Sequence, residues 1–130
     1  MSTNFKLGLL HFVHMLINVD GHIDDREMAA IQAIKKEEHI DDELFQEFSK
    51  SISNSKEHDI HQRGVELLNS CTEEERLCAF VHLFRIAESD TSINMKEVRL
   101  LMYSIKATKI DFDDVVMSAR LSNQNPSNFS

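Results

Sequence analysis

LINVDGHIDDREMAAI, residues 16–31, returns in altered form 70 positions later as IAESDTSINMKEVRLL, residues 86–101. Asp20, Ile23 and Glu27 fall on Asp90, Ile93 and Glu97, while Leu16 falls on Ile86 and Ile31 on Leu101. The match runs without a gap from about Leu10 to Glu43 and from about Phe80 to Asp113, where Ile40 and Asp41 meet Ile110 and Asp111. A repeat this long identifies two related helix–acidic loop–helix units that bury their apolar faces against each other.

The loops explain themselves as helix starts. In Ile23-Asp24-Asp25-Arg26-Glu27-Met28, an apolar residue precedes a capping Asp24, Glu27 takes the third helical position and Met28 the fourth. Ile93-Asn94-Met95-Lys96-Glu97-Val98 repeats the arrangement. Both are capping boxes with hydrophobic staples. Ile40-Asp41 with Phe45, and Ile110-Asp111 with Val115, are staples without the glutamate, and Thr72 with Glu75 marks a further start.

Outward from these points the chain divides into helices at about 4–19, 25–38, 42–51, 56–68, 73–88, 95–107 and 112–121. Apolar residues recur at intervals of three and four within them, which puts one side of each helix into a core. Leu9, Phe12, Val13, Leu16 and Ile17 form one such face. Met28, Ile31 and Ile34 form the next, Leu44, Phe45, Phe48 and Ile52 the third. Leu77, Phe80, Val81, Phe84 and Ala87 line the fifth helix, and Val98, Leu101, Met102 and Ile105 the sixth. The fourth has a less regular face in Ile60, Leu67 and Leu68. With three glycines and one proline in 130 residues, 42% of them hydrophobic, the chain lacks the turns of a many-stranded fold. The expected fold is all-α: a compact bundle of about seven helices, one domain over residues 1–121, followed by a flexible polar tail at 122–130.

Charge narrows the function classes. The formal net charge is −8, from 14 basic and 22 acidic residues. Such a surface repels nucleic acid and acidic membranes, and no dense Lys/Arg cluster offsets it. No stretch approaches the ~20 apolar residues that cross a bilayer, and the apolar N-terminal segment lacks the features of a signal peptide. A cytoplasmic location is expected. The stretch from Asp20 to Glu47 carries ten carboxylates against Arg26, Lys35 and Lys36, a density suited to a cation or a basic protein partner.

The acidic loop is therefore the leading candidate for a metal. Asp20, Asp24 and Glu27 offer oxygen ligands, with Asp90 and Glu97 joining them if the two loops meet. Oxygen donors favour magnesium or calcium over zinc. The spacing matches only the latter part of an EF-hand: counting back from Gly21 places Leu16 at the first ligand position, where an oxygen is required. The competing reading needs no ion, because carboxylates at helix starts also cap backbone N–H groups and complement the helix dipole.

The segment LLHFVHMLINVDGHIDDREMAAI resembles the signature of the TerB-like tellurite-resistance family, which also occurs in DjlA-type co-chaperones. The resemblance rests on Asp20, Gly21, Ile23, Asp24 and Glu27, repeated as Asp90, Ile93, Asn94 and Glu97. It implies an all-α interaction or stress-response domain whose acidic surface binds a divalent metal or a protein. Thr91 stands in place of the second turn glycine and Asn94 in place of an acid, which weakens the second loop as a site.

Histidines and cysteines complete the inventory. His11 and His14 are three apart, as are His58 and His61, and each pair reads as core-edge residues because zinc requires further ligands. Cys71 beside Thr72 lies near a helix N-terminus, a position that favours a thiolate. Cys78 lies four before His82, at helical spacing for a nucleophile and its base, but no triad, phosphate loop or HExxH motif reinforces it. The chain is expected not to be an enzyme. A metal-free protein-binding module and a small hydrolase are the alternatives.

Overall fold

The computed structural model describes residues 2–17, 25–89 and 112–124. These form six helices: α1 (Thr3–Ile17), α2 (Asp25–Glu38), α3 (Asp42–Ser53), α4 (Glu57–Asn69), α5 (Glu73–Ser89) and α6 (Phe112–Gln124). The all-α bundle expected from the repeat is the observed architecture. Residues 18–24 and 90–111, which include the helix expected at 95–107 and both acidic loops expected from the sequence, lie outside the described residues.

The repeat is visible in helix positions. Thr3, where α1 starts, and Glu73, where α5 starts, differ by the same 70 residues as Asp42 and Phe112, where α3 and α6 start. α1 packs against α3 as α5 packs against α6. Leu16 and Ile31 are buried and Ile86 is half-buried, while Leu101 lies outside the described residues.

α1 is the centre of the bundle. Of its expected face, Leu9, Phe12, Val13 and Leu16 are buried and Ile17 is half-buried, but Phe5, Leu7, Leu10, His11 and His14 from the rest of its circumference are buried too. A helix apolar on all sides must be enclosed, and α2, α3, α4 and α5 all pack on α1. Burying each large apolar side chain contributes about 1.5–3 kcal/mol.

Two glycines explain why α4 showed an irregular apolar face. A Cβ on Gly8 of α1 would lie 2.8 Å from Leu68 Cδ2, and one on Gly64 of α4 would lie 3.0 Å from Phe12 Cε1. The two helices approach through these gaps, each offering its glycine to the other's side chains. α4 thus docks by backbone proximity as well as by Ile60, Leu67 and Leu68, all buried.

Several expected caps are present. Asp41 is the N-cap of α3 and accepts from Leu44 N at 2.8 Å, with Ile40 and Phe45 buried on either side. Thr72 and Glu75 form a reciprocal box: Thr72 Oγ1 accepts from Glu75 N at 3.1 Å, and Glu75 Oε1 accepts from Thr72 N at 3.2 Å. α2 ends differently. His39 takes φ 55°, and Ile40 N donates to Lys35 O at 3.0 Å. This is the left-handed closing turn that usually employs glycine, at a cost of about 1 kcal/mol for a residue with a Cβ. The turn fixes Glu37 and Glu38 as the last residues of α2.

Candidate metal centre

The loop residues singled out from the sequence divide into two groups. Asp20, Asp24, Asp90 and Glu97 lie outside the described residues. Glu27 is described, and its carboxylate is fully buried. Both its oxygens accept from His14 Nδ1, at 2.7 and 3.0 Å. A carboxylate cannot be left alone in such surroundings, where its desolvation costs several kcal/mol. His14 supplies the compensating donor and ties α1 to α2. The His14 ring in turn meets the Phe48 ring edge-on at 6.3 Å. His11 is also buried rather than at the core edge. Its Nδ1 donates to Leu7 O at 2.7 Å, and burial pushes its pKa below the usual imidazole value.

The donors that converge lie at the other end of α2. Glu38 of α2, with Cys78 and His82 of α5, places one ligand atom from each residue within 4.8 Å of the others. Helical spacing of four puts Cys78 and His82 on one face of α5. Glu38 Oε2 lies 2.8 Å from His82 Nε2 and 3.6 Å from Cys78 Sγ. His82 is buried, while Glu38 and Cys78 are half-buried.

A second carboxylate addresses the far side of the imidazole. Glu37 Oε2 stands 3.5 Å from His82 Nδ1, and Arg85 Nη1 stands 3.4 Å from the same oxygen. His82 is thus held between consecutive carboxylates, one on each ring nitrogen. Both carboxylates sit in the last turn of α2, where the exposed carbonyls already make the potential negative. The placement is locally unfavourable and concentrates an electrostatic field that suits a cation.

Titration behaviour follows from these contacts. The hydrogen bond from His82 holds the Glu38 carboxyl below its ordinary value, against the opposing effect of burial. Burial, with the neighbouring Glu38 charge, pushes the Cys78 thiol up to about 12. The Cys78 thiol and the His82 Nε2–H therefore both point protons at one carboxylate oxygen. A metal ion in this triangle would take the place of those two protons, and Glu37, beside Nδ1, would then orient the imidazole, the carboxylate–histidine arrangement common behind metal ligands.

One donor separation matches a small tetrahedral ion and a second falls short of it. Bonds of about 2.0 Å to oxygen and about 2.3 Å to sulfur place those ligands about 3.5 Å apart at the tetrahedral angle, against the 3.6 Å between Glu38 Oε2 and Cys78 Sγ. The nitrogen–oxygen pair at 2.8 Å has to open by about 0.5 Å to reach the corresponding separation. A long-chain carboxylate at a helix end can make that adjustment by rotating about its own side-chain bonds.

Cys71 departs from its expected role. Its thiol donates to Leu67 O at 3.3 Å, and burial raises its pKa, so the predicted thiolate character is absent. Cys78 and His82 are brought together as their spacing suggested, with the Glu38 carboxylate between them. Glu38, 40 residues before Cys78, carried no sequence signal beyond its charge. Among the described residues, no helix is long and apolar enough to cross a membrane. Comparison of the chain with protein-family models, with curated proteins and with solved structures finds no match.

Proposed function

We propose that this protein binds a divalent transition-metal ion through Glu38, Cys78 and His82. The single observation that carries the reading is the convergence of one oxygen, one sulfur and one nitrogen donor within 4.8 Å of one another, from two helices distant in sequence. Mixed thiolate, imidazole and carboxylate donors suit zinc, or cobalt in its place, better than magnesium or calcium. That ion class replaces the oxygen-only preference drawn from the acidic loops. The TerB-like resemblance supports divalent-cation binding in general, and under this reading the ion sits between α2 and α5.

The ion's role is to fasten the end of α2 to α5. α2 packs chiefly on α1, and α5 on α6 as well as α1, while the polar links Glu38–His82 and Glu37–Arg85 bridge α2 to α5. Replacing two shared protons by an ion converts the Glu38–His82 and Glu38–Cys78 contacts into coordination bonds. Zinc affinity, measured by competition with a chromophoric chelator, tests this. One equivalent is expected per chain. Cys78→Ala and His82→Ala should each weaken binding at least tenfold, while magnesium and calcium compete poorly. Unchanged zinc affinity in both variants refutes the assignment.

A further inference from the structure

His11 is only 3% exposed, yet it lines a groove of about 280 Å³ where α1, α4 and the end of α3 meet. Its two ring nitrogens differ. Nδ1 lies 2.7 Å from Leu7 O and, facing a carbonyl, carries the proton. Burial holds the imidazole below its usual pKa, so the ring is neutral at pH 7 and Nε2 is a lone-pair acceptor. Among the described residues Nε2 meets no hydrogen-bond partner, and it is not sealed in the interior as His14 Nε2 is. An acceptor left without a donor on a nearly buried ring costs free energy. It also specifies what should reach it: an N–H or O–H from outside the fold.

The same groove carries both signs of charge. Asp59, Arg63 and Glu66 line it from α4. Arg63 stands four residues after Asp59 and three before Glu66, spacings at which helical ion pairs form. Among the described residues it pairs with neither, and Asp59 has no partner at all. Glu66 accepts only from Gln62, at 3.4 Å. Buried Ile60 gives the groove an apolar wall. A plain anion would be repelled by the two carboxylates and would bring no proton to Nε2. A plain cation would meet Arg63, whose charge already reaches His11. A molecule with an ammonium at one end and a carboxylate at the other answers both.

We propose that this groove binds a small zwitterionic α-amino acid, its ammonium donating to His11 Nε2 beside Asp59 and its carboxylate facing Arg63. A short side chain rests on Ile60. The volume falls just below the range of about 300–1,000 Å³ that holds drug-sized ligands, which suits a molecule of this size. The groove shares no residue with the Glu38–Cys78–His82 cluster, so the two proposals stand independently.

Titration of nitrogen-15-labelled protein with alanine provides the test, because the imidazole nitrogen resonance of His11 Nε2 reports on the proton it accepts. Alanine should shift that resonance saturably at millimolar concentration. Propanoate and ethylamine each keep one end of the ligand and forgo a charge-assisted contact, so each should act roughly tenfold more weakly. Arg63→Ala and Asp59→Asn alter exposed positions and spare the core. Arg63→Ala should reduce alanine to the level of ethylamine, and Asp59→Asn should weaken alanine without weakening propanoate. A His11 resonance that ignores alanine, or that answers propanoate or ethylamine as strongly, overturns the proposal. Undiminished alanine affinity in either variant overturns it as well.

Discussion

The raised Cys78 thiol makes metal uptake a proton-exchange reaction with a calculable slope. Glu38 is held ionised by its His82 hydrogen bond and releases no proton on binding. His82 would offer Nε2 to the ion while its Nδ1 faces Glu37. Cys78, pushed from 9.0 to about 12, is a thiol at neutral pH and must surrender one proton to the solvent. One proton released means that apparent zinc affinity rises about tenfold per pH unit. The shift from 9.0 to about 12 is three units, so at neutral pH the site binds up to about a thousandfold less tightly than the same donors with an unperturbed thiol. Part of that penalty comes from the Glu38 charge and disappears as the ion neutralises it. Chelator competition at pH 7.5 and 8.5 gives the slope. Calorimetry in buffers of different ionisation enthalpy counts the protons directly. The wild-type chain should release one, and Cys78→Ser none. A slope near zero in the wild-type chain, or an undiminished slope in Cys78→Ser, refutes the thiol as a ligand.

Other consequences concern the interior. Glu27→Ala strands His14 in the core and should cost about 3–5 kcal/mol in chemical denaturation, whereas Glu27→Gln keeps an acceptor for His14 Nδ1 and should cost much less; equal losses would contradict the pairing. Gly8→Ala drives a methyl to within 2.8 Å of the fully buried Leu68. Overpacking of about 1–3 kcal/mol should exceed the helix-propensity gain of about 1 kcal/mol, so a rise in melting temperature would refute the close approach. His11 has a depressed folded pKa, so its contribution to stability is complete above 6.5 and is lost as pH falls through the folded value. His11→Gln should flatten the acid limb of the stability profile, and an unchanged limb would exclude that contribution.

The fold was legible because helix starts and apolar spacing are local. Asp41 with Phe45 and Thr72 with Glu75 announce their caps within a few residues, and the 70-residue repeat places α1 and α3 in register with α5 and α6. The central position of α1 was harder to see. Its second apolar flank, Leu7 and Leu10, becomes intelligible only once α4 packs across Gly8 and Gly64. Glu27 stood out in the sequence as an acid at a helix start, yet a carboxylate's direction depends on the partner it finds, here His14 on another helix. The candidate centre was half legible. Cys78 and His82 share a helix face by spacing alone, but Glu38 reaches them through the left-handed turn at His39 and the packing of two helices on a third. A non-glycine residue at such a turn leaves little trace in composition, whereas the acidic segments declare themselves by charge alone.

The most direct test of the central claim is the anomalous scattering of zinc in crystals grown with one equivalent of the ion. The account predicts a single strong peak bonded to Glu38 Oε2, Cys78 Sγ and His82 Nε2, at distances of about 2.0–2.3 Å. A fully occupied peak in the acidic loops with none between α2 and α5 would contradict it.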